Sequence, residues 1–98
     1  MRKTRATDSG EVTAIKAADG DRPARVVYIV TGRDAHGQTR HATLSAIIPA
    51  EDFDRLSSEL NVGDMAEFTT LTEWDKKGLP VTLLSFRRLE ADESTATA

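Results

Sequence analysis

The chain has 98 residues and a mass of 10.7 kDa, which suits one domain with a single modest core. Its 13 Lys and Arg against 16 Asp and Glu give a net charge of −3, which argues against a polybasic binder of duplex nucleic acid. Cysteine is absent, so disulfides, thiolate nucleophiles and cysteine-based metal sites are excluded.

The sequence shows neither a membrane span nor a secretion signal. Its apolar runs stay below the roughly 18 residues of a spanning helix, and the residues after the basic start are polar where a signal peptide is apolar. We therefore expect a cytoplasmic protein. The first ten residues show no apolar periodicity, and the last eight contain nothing large enough to bury. This predicts a flexible basic tail over residues 1–10, a folded domain over 11–90 and a flexible acidic tail over 91–98.

The front half of the chain predicts three strands. Residues 11–18 form the first, and residues 25–33 form a second that is apolar on both faces at 26–30. A loop at 34–38 with a glycine joins it to a third strand at 39–48. Alternation in the third strand predicts an inward row and an outward row: Ala42, Leu44, Ala46 and Ile48 inward, His41, Thr43, Ser45 and Ile47 outward.

The back half predicts one helix and two more strands. Phe53, Leu56 and Leu60 have the spacing of one helical face over residues 50–60. Alternation returns at 64–74 and 79–89, separated by a turn at 75–78. The order of three strands, a helix and two strands is that of an all-β, five-stranded Greek-key OB-fold barrel. Another small barrel, or a half-open sheet closed by the helix, is the alternative.

Between residues 44 and 90 the sequence resembles the single-stranded-DNA-binding protein family, including its primosomal relatives. The resemblance is carried by the helix and its corner Leu60-Asn61-Val62-Gly63-Asp64, by the strand at 65–71, by the loop Trp74-Asp75-Lys76-Lys77-Gly78 and by the last strand at 81–89. It implies an OB-fold that binds single-stranded DNA or RNA and forms homo-oligomers. Such a module would serve as a phage, plasmid or replication accessory.

The last loop is the strongest candidate for a nucleic-acid contact. Trp74 offers a flat ring for base stacking, and Lys76 and Lys77 offer cations for phosphates, which is the pairing that single-strand binders use. The alternative is that Trp74 packs across the hairpin onto Leu79 or Val81 while the lysines only solvate a turn.

The second hairpin is the other candidate contact. Arginine forks suit phosphate oxygens, and the third strand presents hydrogen-bonding groups outward. The candidate residues there are Arg33, His36, Arg40, His41, Thr43 and Ser45. The alternative is a solvated hairpin tip in which Asp34 pairs with an arginine. Two histidines with Asp34 form a poor metal set, and no metal or other cofactor is expected.

The helix carries four acids against Arg55 and would repel a phosphate chain: Glu51, Asp52, Asp54 and Glu59. Its surface at 50–60 supports a rival hypothesis, an OB-like module that binds or inhibits a partner protein. The sequence has no nucleophile elbow, phosphate loop or zinc-protease motif, and a non-catalytic protein is expected.

Overall fold

The computed structural model describes residues 2–89, in which five strands and one helix follow each other in the predicted order. The elements are β1 Lys3–Lys16, β2 Arg25–Arg33, β3 Thr39–Ile47, α1 Ala50–Glu59, β4 Met65–Glu73 and β5 Val81–Arg88. The strands pair into a closed barrel with the spatial order β1-β2-β3-β5-β4. This is the five-stranded Greek-key OB-fold that the sequence predicts.

The first strand is shared by the two halves of the barrel. Its residues 10–16 pair with β2, and its residues 3–11 pair with β4, so that Gly10 and Glu11 have partners on both sides. A bulge between Val12 and Ala14 lies within the β2-facing part. Because a bulge bends a strand, β1 can turn from one half of the barrel into the other. The opposite side closes through one parallel pair, Ile47 with Thr82.

Gly10 lies where the two halves meet, and no larger residue fits there. It is buried, and a Cβ atom at this position would lie 2.6 Å from the carbonyl oxygen of Ile29 and 3.1 Å from the ring of Tyr28. A glycine in a strand commonly marks such a close approach of two backbones.

The core consists of inward side chains from the strands, of Leu56 in α1 and of Leu60 at the C-cap of that helix. The rings of Tyr28 and Phe68 stack at its centre, with centroids 4.1 Å apart. Phe53 packs against the same cluster and is partly buried. The predicted helical face therefore holds α1 on the barrel. The fully buried large side chains are Val12, Val26, Tyr28, Ile48, Leu56, Leu60, Phe68 and Leu83.

The inward row predicted for the third strand is buried only in part. Ala46 and Ile48 are buried and Leu44 is half-buried, but Ala42 is exposed. Val30, the cross-strand neighbour of Ala42, is half-buried against the core, so this level of the β2–β3 hairpin lies at the edge of the core. The predicted alternation of inward and outward residues is right. The exposure of Ala42 depends on where the core ends, which the tertiary structure determines.

The N-terminal part of β1 differs from the prediction of a flexible tail at residues 1–10. Lys3 to Gly10 pair in register with β4, from Lys3 opposite Glu73 to Gly10 opposite Ala66. The side chains of this stretch are polar and mostly exposed, so backbone hydrogen bonds hold it and leave no apolar pattern in the sequence. The predicted acidic tail at 91–98 lies outside the described residues. Within residues 2–89, no helix is long and apolar enough to cross a membrane.

The buried phenol of Tyr28 makes the stability of the fold sensitive to high pH. Burial, followed by the charge of Asp8, raises the pKa of Tyr28 to about 12. In the unfolded chain a tyrosine ionises near pH ~10, so the stabilisation is complete below that value and is lost as the pH rises to about 12. We expect a loss on the order of 2–3 kcal/mol in the free energy of unfolding over this interval.

The measurement is urea unfolding across this interval, together with the tyrosinate absorbance, which reports one residue because the chain has one Tyr. Tyr28→Phe keeps the stacked ring and is the control that should lose this part of the pH dependence. A tyrosinate midpoint near pH ~10 in the folded protein would contradict the prediction.

Candidate nucleic-acid interface

The outward face of β2 and β3 carries a continuous row of polar groups. Directly paired residues of antiparallel strands share a face. Ser45 therefore lies beside Val27, Thr43 beside Ile29 and His41 beside Thr31. The structure thus brings together the three outward residues that the sequence singled out on β3, and all three are exposed.

His41 is held in this row by its neighbour on β2. Its Nδ1 atom lies 3.0 Å from the hydroxyl oxygen of Thr31. The other ring nitrogen of an imidazole held in this way is available for a ligand. Within residues 2–89, no three His, Asp or Glu side chains are grouped so that they can hold a metal ion.

Asp34 organises the tip of the β2–β3 hairpin. Its carboxylate accepts hydrogen bonds from the backbone N–H groups of His36 at 2.8 Å and Gln38 at 3.0 Å. It also accepts one from Nε of Arg40 at 2.9 Å. The pKa of Asp34 is lowered, first by the bond from Arg40 and then by the bond from Gln38. Asp34 therefore pairs with Arg40, as the alternative interpretation of this hairpin as a solvated tip predicted.

The two arginines of this hairpin lie on opposite faces. Arg33 is opposite Thr39 on the outward face, whereas Arg40 is opposite Gly32 on the other face. The side chain of Arg40 is still 68% exposed despite its ion pair. Arg33 is exposed and has no carboxylate partner within residues 2–89. The backbone N–H of His36 donates to the carboxylate of Asp34, which fixes the backbone of His36 in the hairpin tip.

Trp74 begins the β4–β5 hairpin loop and is 47% exposed. Its indole N–H donates to the hydroxyl of Thr4 at 2.7 Å, and its backbone N–H donates to the carbonyl of Arg2 at 2.9 Å. Leu79, which the sequence offered as a packing partner, is itself 49% exposed and has a left-handed φ of 46°. The ring therefore has a polar anchor on β1 and an accessible surface.

The two lysines of this loop differ in their surroundings. Lys76 pairs with Glu73 at 3.1 Å. Lys77 is exposed and has no carboxylate partner in the part of the chain that the structure describes. An exposed ion pair is weak, so both amines remain able to reach a phosphate.

A third group of cations, at the β1–β2 connection, is not among the candidate site residues chosen from the sequence. Lys16 is directly opposite Arg25, and like charges placed in this way destabilise a sheet. Together with Ala17, Asp19, Arg22 and Pro23 they line a cavity of about 500 Å³, so that one carboxylate lies among the three cations. None of the three cations has a carboxylate ion-pair partner within residues 2–89. The pairing of Lys16 with Arg25 depends on the β1 bulge, which no sequence pattern revealed.

The outward face of β2 therefore has cations at both ends. Arg25 and Arg33 share this face because they are separated by an even number of residues. At ~3.3 Å per residue they are about 26 Å apart along the strand. Between them lie the apolar and polar groups of the β2–β3 row.

The acids of α1 are partly neutralised within the helix. The guanidinium of Arg55 lies 3.9 Å from Asp52 and 3.9 Å from Glu59. It also lies over the ring of Phe86, 4.6 Å from the ring centroid.

The barrel is similar to that of a known protein. In a crystal structure, the mitochondrial single-stranded DNA binding protein Rim1 from S. cerevisiae matches it with a TM-score of 0.59 and 11% sequence identity. The matched region covers 92% of this chain and 97% of that chain. At this identity the likeness shows the fold. No protein-family model and no curated protein matches the sequence.

The hydrogen bonds of Asp34 lead to a prediction for the hairpin tip. In Asp34→Ala the backbone N–H groups of His36 and Gln38 lose their acceptor, so their amide protons should exchange faster with solvent. Amide exchange followed by NMR measures this. Asp21→Ala, which removes an exposed aspartate from the β1–β2 connection, should leave both amides unchanged.

The lowered pKa of Asp34 fixes the pH direction of the same effect. Its contribution is present above the ordinary aspartate value of ~3.9 and is lost as the pH falls through the folded-state pKa. Protection of the two amides should follow this course. Protection that is equal in Asp34→Ala and in the unaltered chain would contradict the assignment.

Proposed function

We propose that this chain is a non-catalytic OB-fold module that binds single-stranded nucleic acid, and we favour single-stranded DNA over RNA as the ligand. The observation that carries the proposal is the outward β2–β3 face, where hydrogen-bonding groups lie between cationic ends. The strand 2–3 face is the part of an OB-fold that binds oligonucleotides. The likeness to Rim1, described as a single-stranded DNA binding protein, supports it.

In this proposal each group has a role that follows from its chemistry. Trp74 stacks on one base, and the arginines and lysines of the two hairpins contact phosphates. The imidazoles of His36 and His41 and the hydroxyls of the outward row form hydrogen bonds with bases or sugars. The proposed contacts are Trp74, Arg33, Arg40, Lys76, Lys77, His36, His41, Thr43 and Ser45.

The β1–β2 connection extends this proposed site. Lys16, Arg22 and Arg25 have no carboxylate ion-pair partner within residues 2–89, and a phosphate would relieve the repulsion between Lys16 and Arg25. A strand that follows β2 would then pass from these cations to Arg33. The distance of about 26 Å between Arg25 and Arg33 along β2 agrees with a site of ~4–16 nucleotides, the size that one OB-fold binds.

Charge sets the direction and the strength of the proposed binding. The net charge of −3 and the acids of α1 oppose a phosphate chain, so the strand should keep to the side of the two hairpins. Affinity is expected to be moderate and strongly dependent on salt. A role as a phage, plasmid or replication accessory, in the cytoplasm and as a homo-oligomer, belongs to the same proposal.

A second candidate function is protein binding through α1. The observation that favours it is the exposure of Glu51, Asp54 and Glu59 on one short helix. Because such a module needs no stacking ring, it would bind its partner equally well without Trp74.

Titration with labelled oligo-dT at low salt tests the proposed function. We expect quenching of Trp74, the single tryptophan, and binding that weakens as salt rises because counterions are released. Trp74→Ala should weaken binding by about 1–3 kcal/mol, the contribution of one stacked base. Lys76→Ala with Lys77→Ala should weaken it without unfolding the domain. No binding at micromolar protein, with an unchanged Trp74 signal, would rule the function out.

The cations of the β1–β2 connection are tested by the slope of affinity against salt. Each phosphate contact on a single strand contributes about 0.7 to that slope. Lys16→Gln and Arg25→Gln should each lower the slope by about this amount. Arg55→Gln removes the same charge from the acidic helix and is the matched control, whose slope should stay unchanged. Equal effects of Arg25→Gln and Arg55→Gln would reflect net charge alone and would exclude a local contact.

A further inference from the structure

The start of β1 holds the base of the β4–β5 hairpin through three hydrogen bonds. The backbone N–H of Trp74 donates to the carbonyl of Arg2 at 2.9 Å, and the backbone N–H of Arg2 donates to the carboxylate of Asp75. The indole N–H of Trp74 donates to the hydroxyl of Thr4 at 2.7 Å. The strand pairing continues up to this point, with Lys3 opposite Glu73. Both the backbone and the side chain of Trp74 are therefore fixed by residues 2–4.

The bond to Thr4 determines which part of the indole faces a ligand. An indole has one hydrogen-bond donor and no acceptor. Because Thr4 takes that donor while 47% of Trp74 stays exposed, the ring surface is what remains for contact. A ring surface stacks on any base, whereas a free N–H group can bond to acceptors that differ among bases.

The same bond reduces the entropy that the ring loses on binding. A side chain that is free to rotate in solution loses conformational entropy when it is immobilised in an interface, and this loss weakens binding. A ring already oriented in the free protein avoids most of that loss. For one side chain the difference corresponds to about 2- to 10-fold in affinity.

We propose that Thr4 is a positioning residue, which holds the indole of Trp74 ready to stack and prevents its N–H group from reading base identity. The ligand in this inference rests on the proposed function, whereas the holding of the ring is a property of the free protein. A residue at the very start of β1 thereby belongs to a site formed 70 positions later in the chain.

Three variants isolate the hydroxyl of Thr4. Thr4→Val removes it and keeps a β-branched side chain, and Thr4→Ser keeps it. Thr7→Val is the matched control, because the hydroxyl of Thr7 bonds across the same two strands, to that of Thr69 at 3.1 Å, and has no contact with Trp74. Circular dichroism shows whether each variant folds.

Acrylamide quenching of Trp74 fluorescence without nucleic acid is the first measurement, and affinity for labelled oligo-dT is the second. Thr4→Val should be quenched more efficiently and should bind oligo-dT about 2- to 10-fold more weakly. Thr4→Ser and Thr7→Val should match the unaltered chain in both. Trp74→Phe, which keeps a ring without the N–H group, should bind more tightly than Trp74→Ala.

The outcomes separate this inference from the proposed function. If Thr4→Val changes the quenching and the unaltered chain fails to bind oligo-dT, the proposed function fails while the holding of the ring stands. If Thr4→Val leaves quenching and affinity unchanged, or if Thr7→Val changes them equally, the positioning role of Thr4 is overturned. Equal binding by Trp74→Phe and Trp74→Ala would overturn the contact through the ring.

Discussion

The structure depends on the sharing of β1 between the two halves of the barrel. Around Gly10 and Glu11 this strand has hydrogen-bonded partners on both sides, β2 on one and β4 on the other. The close approach of Gly10 to the Ile29 carbonyl, where a Cβ would lie at 2.6 Å, makes this arrangement possible. The rings of Tyr28 from β2 and Phe68 from β4, the strands on either side of β1, stack with their centroids 4.1 Å apart.

The same sharing assembles the candidate interface. One end of β1 places Lys16 against Arg25, and the other end holds the loop that contains Trp74. Lys16 and Arg25 thereby lie at one end of the outward β2–β3 face, and Arg33 lies at its other end. A repulsive pair such as Lys16 and Arg25 lowers stability unless an anion lies between them, which connects the energetics of the sheet to binding.

The scarcity of aromatic residues limits what this surface can do. Of the five aromatic residues, Tyr28 and Phe68 are fully buried, and Phe53 and Phe86 are partly buried against the core. Trp74 is the one whose ring is about half exposed. The binding proposed above would then rest more on phosphate contacts than on stacking, and the orientation of that single ring would matter correspondingly more.

The residues by themselves determined the local elements of this protein. Alternation and helical spacing predicted β2, β3, α1, β4 and β5 within a few residues of their observed ends, and their order predicted the barrel. These patterns depend on which side chains are apolar, so they are visible in sequence. The hairpin loops were equally visible, because glycine and aspartate mark turns.

Only the tertiary structure decided the beginning of β1, the pairing of Lys16 with Arg25, the opposite faces of Arg33 and Arg40, and the bond between Thr4 and Trp74. Each of these depends on backbone pairing between distant segments or on strand register, and a single bulged residue changes register. Backbone hydrogen bonds use the same groups in every residue type. A polar strand held by them, like the start of β1, therefore leaves no mark in the amino-acid sequence.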